Sequence, residues 1–418
     1  MTTPDTAGCP VHPESAVPLS GPRFHTDPIG LYQDMRRDHG QVVPVELPGG
    51  FPAWLVIGYR ELHQVLSDPE LFPRDVGLWN QWPHIPPDWP LLPMVGQRMP
   101  SIYYTVGGEH RRHARMVTEA LAAVDAFELR RHAEQLADLL IDGFCGRGEA
   151  ELIAEYAAQL PVLVLARIIG FSDDDGRRLA AALTELADGG PGAQAAYASY
   201  ADQIRQLVEN KRARPGADVA SRLLADPARH SDEEVMLDLK DTTAAGYLTT
   251  ADWIGNSIRL MLTDDRFAAA LGGGRHSVAQ AMNEVLWEDT PTQILAGRWA
   301  ARDTTLAGRS VRAGDMLLLG LAGANADPEI QRLLTPAHGG NSAHFSFSYG
   351  EYRCPFPAQE IAEIIARTGI EVLLDRLPDL DLSVPAQTLV RRPGAFLRGM
   401  TALPVRFTAV RTVGDQFR

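Results

Sequence analysis

The sequence predicts one large, mainly α-helical domain with a smaller β-rich part, an α+β arrangement. Three observations lead there. Helical periodicity dominates from residue 108 to about 262, strand-like alternation is confined to short pieces near the N-terminus and in the last third, and no repeat or linker divides the 418 residues. A hydrophobic share of 45% supplies a sizeable core, and a formal net charge of -14 disfavours nucleic acid and anionic membranes as partners. No apolar run approaches the roughly 20 residues of a membrane span, and the N-terminus lacks a signal-peptide pattern, so a cytoplasmic protein is expected.

Each element follows from local pattern. Residues 1–21, rich in Pro, Thr and Ser, read as a flexible tail and 22–418 as the folded domain. Residues 27–39 have helical spacing, 42–46 and 53–57 read as strands joined through Leu47-Pro48-Gly49-Gly50, and 59–67 returns to helix. From 72 to 100 the pattern dissolves into Pro, Trp and Met. A structureless stretch this long is usually functional, although Trp79, Trp82 and Trp89 equally suit a loop packed on its own aromatics. Helical runs follow at 111–121, 127–145, 149–169, 171–188, 193–214 and 218–224, with Gly189-Gly190-Pro191-Gly192 as a flexible break. Ser231-Asp232-Glu233-Glu234 has capping-box spacing and starts a long helix to about 262, with an interruption at Ala245-Gly246-Tyr247-Leu248-Thr249-Thr250. A helix at 276–287 stops at Thr290-Pro291. Strand-like pieces at 298–301, 304–306, 310–311 and 316–321 read as a small meander, 322–334 has helical character, and 399–408 is a late strand.

The stretch from His344 to Glu360 stands out. Cys354 lies between Arg353 and Pro355, is approached through Phe347 and Gly350, and precedes a helical run at about 359–374. That helix would aim its dipole and free amides at the sulfur, favouring a thiolate ligand. Taken alone, a buried free cysteine at a strand-to-helix turn is the commoner explanation. Cys145 reads as helix packing and Cys9 lies in the tail, so the three cysteines form neither a disulfide framework nor a zinc cluster.

Together, the Cys354 loop, the long helix and the order of the elements resemble the cytochrome P450 superfamily of haem-thiolate monooxygenases, from about Pro22 onward. The family pattern Phe-Gly-x-Gly-x-His-x-Cys-x-Gly is matched at Phe347, Gly350 and Cys354, with Ser348, Tyr352 and Phe356 replacing a Gly, the usual His and another Gly. The resemblance implies the P450 fold, haem b (iron protoporphyrin IX) as cofactor and Cys354 as its axial thiolate. His110 resembles the helix-start histidine that donates to a haem propionate, and Arg298 a propionate-binding arginine. His344, Phe347, Gly350 and Tyr352 belong to the same implied cofactor site. The arginine usual four residues after His110 is Ala114, which leaves Arg111, Arg112 or Arg115 to compensate.

Ala245, Gly246 and Thr249 fall on the family's oxygen-binding segment. The resemblance implies room for oxygen at Gly246 and a Thr249 hydroxyl that holds oxygen or an ordered water. The usual acid is Leu248, which leaves water, a substrate group or Asp252 as proton source. The family's Glu-x-x-Arg reads Glu284-Val285-Leu286-Trp287, so Glu284 is expected to pair with Arg332 or a backbone amide.

By the same resemblance the substrate pocket is lined by the loop 76–105 with Trp79, Trp82 and Trp89, a lid near 183–200, Ala245 and Thr249, then 292–295 with Thr292, Ile294 and Leu295, and 394–400 with Phe396 and Leu397. Such a lining suits a small apolar or aromatic secondary metabolite, for instance an indole or a cyclic dipeptide. The implied protein is a monomer, fed by ferredoxin and ferredoxin reductase, that hydroxylates or oxidatively couples its substrate. Two alternatives stay open: a haem-binding sensor or partner protein with little activity, motivated by Leu248 and Trp287, and peroxide-driven oxidation.

Overall fold

A capped helix of 32 residues sets the architecture of the computed structural model, in which residues 16–95, 98–188, 192–227, 230–268, 275–333 and 341–413 are described. The chain begins with β1 (Val17–Pro18), α1 (Arg23–Thr26), α2 (Pro28–His39), β2 (Val42–Leu47), β3 (Phe51–Val56) and α3 (Tyr59–Ser67). Turns at Val76–Leu78 and Trp82–His84 lead to α4 (Leu92–Val95), α5 (Gly107–Ala122) and α6 (Ala126–Asp142). Next come β4 (Glu149–Glu151), a π-type turn at Ile153–Ala157, α7 (Gln159–Ile169), α8 (Asp173–Asp188), α9 (Ala193–Ala213) and α10 (Val219–Leu224). The long helix is α11 (Asp232–Thr263), followed by α12 (Asp265–Ala268) and α13 (Arg275–Glu288). The last third holds β5 (Leu295–Trp299), β6 (Thr304–Leu306), β7 (Arg309–Val311), β8 (Met316–Leu319), α14 (Leu321–Asn325) and α15 (Pro328–Gln331). It closes with α16 (Phe356–Arg376), β9 (Asp381–Leu382) and β10 (Pro404–Arg406).

The start of α11 is dictated locally. Glu234 N–H donates to Ser231 Oγ at 3.2 Å and Ser231 N–H donates to the Glu234 carboxylate at 2.7 Å, a reciprocal capping box. Its inner face, including Val235, Leu239, Tyr247, Ile254 and Ile258, packs on α7, α9, α13 and α16 in the principal core. The expected interruption at 245–250 does not occur, and the helix is continuous through it.

The five-stranded sheet runs β1-β2-β3-β8-β5, with β3 and β8 parallel and the β2–β3 hairpin antiparallel. Period-two alternation divides its residues between two cores. Val43, Val45, Leu47, Leu55 and Leu318 face one cluster, whereas Val42, Trp54, Val56, Leu317 and Leu319 face another. The sheet carries β5, and with it Arg298.

Several expectations are corrected. The tail ends earlier than residue 21, because Val17 pairs with Val45 and Leu19 is buried; residues 1–15, with Cys9, lie outside the described residues. The start of the expected 149–169 helix is β4, which pairs with β10 across a separation in sequence that local pattern does not reveal. The 322–334 region splits into α14 and α15, and Gly189, Gly190 and Pro191 lie outside the described residues.

Candidate active site

The Cys354 loop is pinned before α16 begins. Cys354 N–H donates to Phe347 O at 3.0 Å, and Gln359 Nε2 donates to Cys354 O at 2.8 Å. Gly350, at φ 74°, passes so close to α3 that a Cβ there would lie 2.1 Å from Leu66 O, so only glycine fits. Ser348 also has positive φ, 62°, at a cost of about 1 kcal/mol for a residue with a Cβ. The Phe347 ring meets Trp253 of α11 edge-on at 5.8 Å, which docks the loop on the long helix. From the other side, Ser346 Oγ donates to Leu286 O at 2.5 Å and Trp287 Nε1 donates to Asn341 O at 2.9 Å. Trp287 therefore holds the approach to the loop. Cys354 is half-buried as a residue, yet its sulfur is desolvated, which pushes the thiol up to about 12.

Around Tyr352 the structure gathers two guanidiniums and an imidazole. The Arg298 guanidinium carbon lies 4.6 Å from the Tyr352 ring centroid, that of Arg74 lies 5.2 Å away, and the His110 ring centroid is at 4.6 Å. Arg298 is 1% exposed, donates from Nη1 only to Gly297 O at 3.2 Å, and leaves Nη2 without a partner. Burial first, and then the charge of Arg74, hold Arg298 well below the usual arginine range. His110 Nδ1 faces Ile102 O at 3.0 Å and Nε2 faces Glu351 O at 3.3 Å. Burial, helped by Arg74, pushes this histidine down to about 4, so its single N–H serves one of two carbonyls.

The middle of α11 borders a cavity of about 300 Å³. Ala244, Tyr247, Leu248, Lys240 and Asp241 line it from α11, joined by Tyr104, Leu183, Leu186, Tyr197 and Tyr200. Asp241 accepts a hydrogen bond from Ser101 Oγ, and burial pushes its carboxyl up to about 6. Lys240 is turned onto Tyr197, donating to its hydroxyl at 2.6 Å.

Sequence and structure comparisons now decide the family. No family model matches the chain. It is 29% identical over 394 residues to vitamin D(3) 25-hydroxylase of Pseudonocardia autotrophica, covering 91% of this chain and 94% of that protein. It is 28% identical over 406 residues to the cytochrome P450 monooxygenase PikC of Streptomyces venezuelae, covering 94% of each. Among solved structures, CYP154C4 from Streptomyces sp. ATCC 11861 matches with TM-score 0.83 and 26% identity over 94% of this chain and 99% of that one. The Bacillus subtilis 168 cytochrome P450 PksS matches with TM-score 0.80 and 26% identity over 95% of this chain and 99% of that one. The chain belongs to the cytochrome P450 superfamily.

A P450 monooxygenase works with a haem whose iron takes a cysteine thiolate. The residues of this P450 suit that group. Two deeply buried guanidiniums, Arg74 and Arg298, have no carboxylate partner among the described residues, although buried charges are ordinarily paired. The two carboxylates of a haem would supply that partner. Cys145, in contrast, is fully buried in the principal core as expected of a packing residue.

Other expected residues are placed differently. Trp79, Trp82 and Trp89 do not border the 300 Å³ cavity. Trp79 lies 5.5 Å from Trp82 and 5.6 Å from Trp89, with Phe51 5.5 Å from Trp89, so these rings bury one another. Thr292 bridges to Leu397, and Phe396 O accepts from Gln293 and Ile294 N–H at 2.8 and 3.2 Å; Ile294 and Leu295 belong to the sheet cores, and none of these residues borders that cavity. The lid residues Leu183, Leu186, Tyr197 and Tyr200 do line it. His344 packs against Trp287 at 5.8 Å, and burial pushes it down to about 4.

On α11, a Cβ at Gly246 would meet Leu165 Cδ1 at 3.2 Å, so this glycine permits close packing on α7. Thr249 Oγ1 donates to Ala245 O at 2.6 Å, and Ala245 itself is exposed. Asp252 is buried and accepts from Arg392 Nη2 at 2.6 Å, and burial pushes its carboxyl up to about 6. Arg332 is exposed and donates to Pro328 O at 3.0 Å, away from its expected role beside Glu284, which is half-buried. Sequence reasoning missed Arg74, Asp241 and Tyr247, whereas Tyr104, Tyr197 and Tyr200 fall within the expected loop 76–105 and lid 183–200; the position of Asp241 seven residues before Leu248, on one helix face, carried a readable signal.

Proposed function

We propose that this P450 binds haem b through the Cys354 thiolate and oxidises a small aromatic natural product that presents an N–H or O–H donor to Asp241. When bound, a haem with a thiolate ligand activates dioxygen, sulfur donation favouring cleavage of the oxygen–oxygen bond. Cys354 would hold the iron, with Arg298 and Tyr352 on the propionate side and Phe347 and Gly350 fixing the loop. The observation that carries the substrate reading is the cavity lined by Tyr104, Tyr197, Tyr200 and Tyr247 around one acidic side chain, Asp241. Flat rings pack well between tyrosines, and a buried carboxylate oxygen selects for a donor such as an indole or cyclic-dipeptide N–H. With its proton committed to Ala245 O, the Thr249 hydroxyl is oriented to accept one from an ordered water.

Electrons come in this proposal from a ferredoxin and its reductase to a cytoplasmic monomer. No helix among the described residues is long and apolar enough to cross a membrane. Leu248 in the cavity wall, where the family carries an acid, favours a second route, oxidation driven by peroxide, and makes oxidative coupling a competitor to hydroxylation.

The ferrous carbon monoxide spectrum of wild type beside Cys354→Ser tests the cofactor assignment: the thiolate-type band is expected in the first and absent from the second, and identical spectra would end it. Product analysis under labelled dioxygen, with reductase or with peroxide, separates hydroxylation from dimer formation without added oxygen. Failure of every aromatic donor to perturb the spin state, while aliphatic ligands do, would overturn the substrate reading.

A further inference from the structure

Arg74 is a buried cation that no motif assigns. It is 9% exposed, Nη1 and Nη2 donate at 3.2 Å to the carbonyls of Tyr103 and Tyr352, and Nε has no partner. No carboxylate pairs with it among the described residues. The arginines closest in sequence to Ala114 are committed elsewhere: Arg111 to Glu351 at 3.3 Å, Arg112 to Glu234 and His230, and Arg115 to Glu119 at 3.1 Å. His110 directs both ring nitrogens at backbone carbonyls. The cation expected from α5 is therefore missing at the Tyr352 cluster, and Arg74 stands there instead, its guanidinium and that of Arg298 sharing one ring.

We propose that Arg74 anchors a haem propionate in this chain and replaces the cation that Ala114 does not supply. The proposal rests on the assignment of Cys354 as haem ligand. Two desolvated guanidiniums repel one another, whereas a carboxylate between them accepts charge-assisted hydrogen bonds from both. Arg74 is a positioning residue; it acts on the cofactor's periphery and not on the reacting atoms.

The test is a cycle that crosses the side chain with the propionate. Haem and its dimethyl ester are loaded into wild type, Arg74→Met and Arg74→Lys holoproteins, and the rate of haem loss to excess apomyoglobin is followed. Arg74→Met is expected to speed loss of ordinary haem by about tenfold or more, the size of one charge-assisted hydrogen bond, and to leave loss of the ester nearly unchanged. Arg74→Lys should fall between, and it carries the same cycle if Arg74→Met does not fold. Equal acceleration for both haems would mean a merely structural arginine and overturn the proposal, as would no acceleration. A wild type that takes up no haem overturns the parent assignment along with this one; a wild type that does, with additive losses, overturns this one alone.

Discussion

Two groups of buried arginines in this protein are built from the same side chain and end in opposite electrostatic states. Around Asp289, three guanidiniums converge on one carboxylate: Arg259 at 3.1 Å, with Arg391 and Arg398 in closer contact. Asn256 completes that network by accepting from Arg391 at 2.7 Å and donating to Asp289 O at 3.1 Å. Around Tyr352, Arg74 and Arg298 are more deeply buried but meet only carbonyls and aromatic faces. The first group contains an anion of its own and ties α11 and α13 to the segment around residue 398. The second carries an excess of positive charge that a ligand must answer. A buried charge network that contains its counter-ion is architecture; one that lacks it marks a site.

The largest expected effect comes from breaking the closed group. Asp289→Asn leaves three buried guanidiniums around a neutral amide, and should cost about 3–5 kcal/mol in unfolding experiments, with or without haem. A loss under 1 kcal/mol would mean that the network is solvated in solution. The open group should respond in the opposite sense. Arg298→Met removes a desolvated cation, so stability without haem should be unchanged or higher by about 1 kcal/mol or more, while haem retention falls. Destabilisation of the haem-free protein instead would erase the contrast between the two groups.

The smallest effect concerns acid. The three arginines hold Asp289 well below the usual carboxylate range, and Glu234 is lowered from its ordinary 4.5 to about 2 despite its burial, by Ser231 and then Arg112. Because these folded-state values are depressed, the stability they contribute is present above pH 4.5 and is lost as pH falls toward 2. Unfolding free energies of wild type and Glu234→Gln from urea titrations should therefore differ by on the order of 1 kcal/mol at pH 6 and converge near pH 2. A difference that stays constant across that range would show that the pair does not govern the acid limb.

Legibility from sequence followed the distance over which each feature is determined. The capping box was readable because Ser231 and Glu234 sit within one turn, and the Cys354 loop because Phe347, Gly350 and Cys354 fall at fixed spacings within one short stretch. β4 was mistaken for helix because its partner strand lies some 250 residues away and only the pairing makes it a strand. The tryptophans were misplaced for a different reason. An aromatic side chain has the same composition whether it faces a ligand or another ring, and Trp79 found Trp82, Trp89 and Phe51. Arg74 was invisible because its meaning depends on Tyr352, Tyr103 and Arg298, contributed by three separate segments.

The unanswered charge beside Tyr352 also reaches beyond the site. A ligand that binds only the native chain adds to its stability by mass action, and here it relieves repulsion between Arg74 and Arg298 as well. If haem binds between these arginines as proposed, the haem-free chain is expected to open more readily than the loaded one.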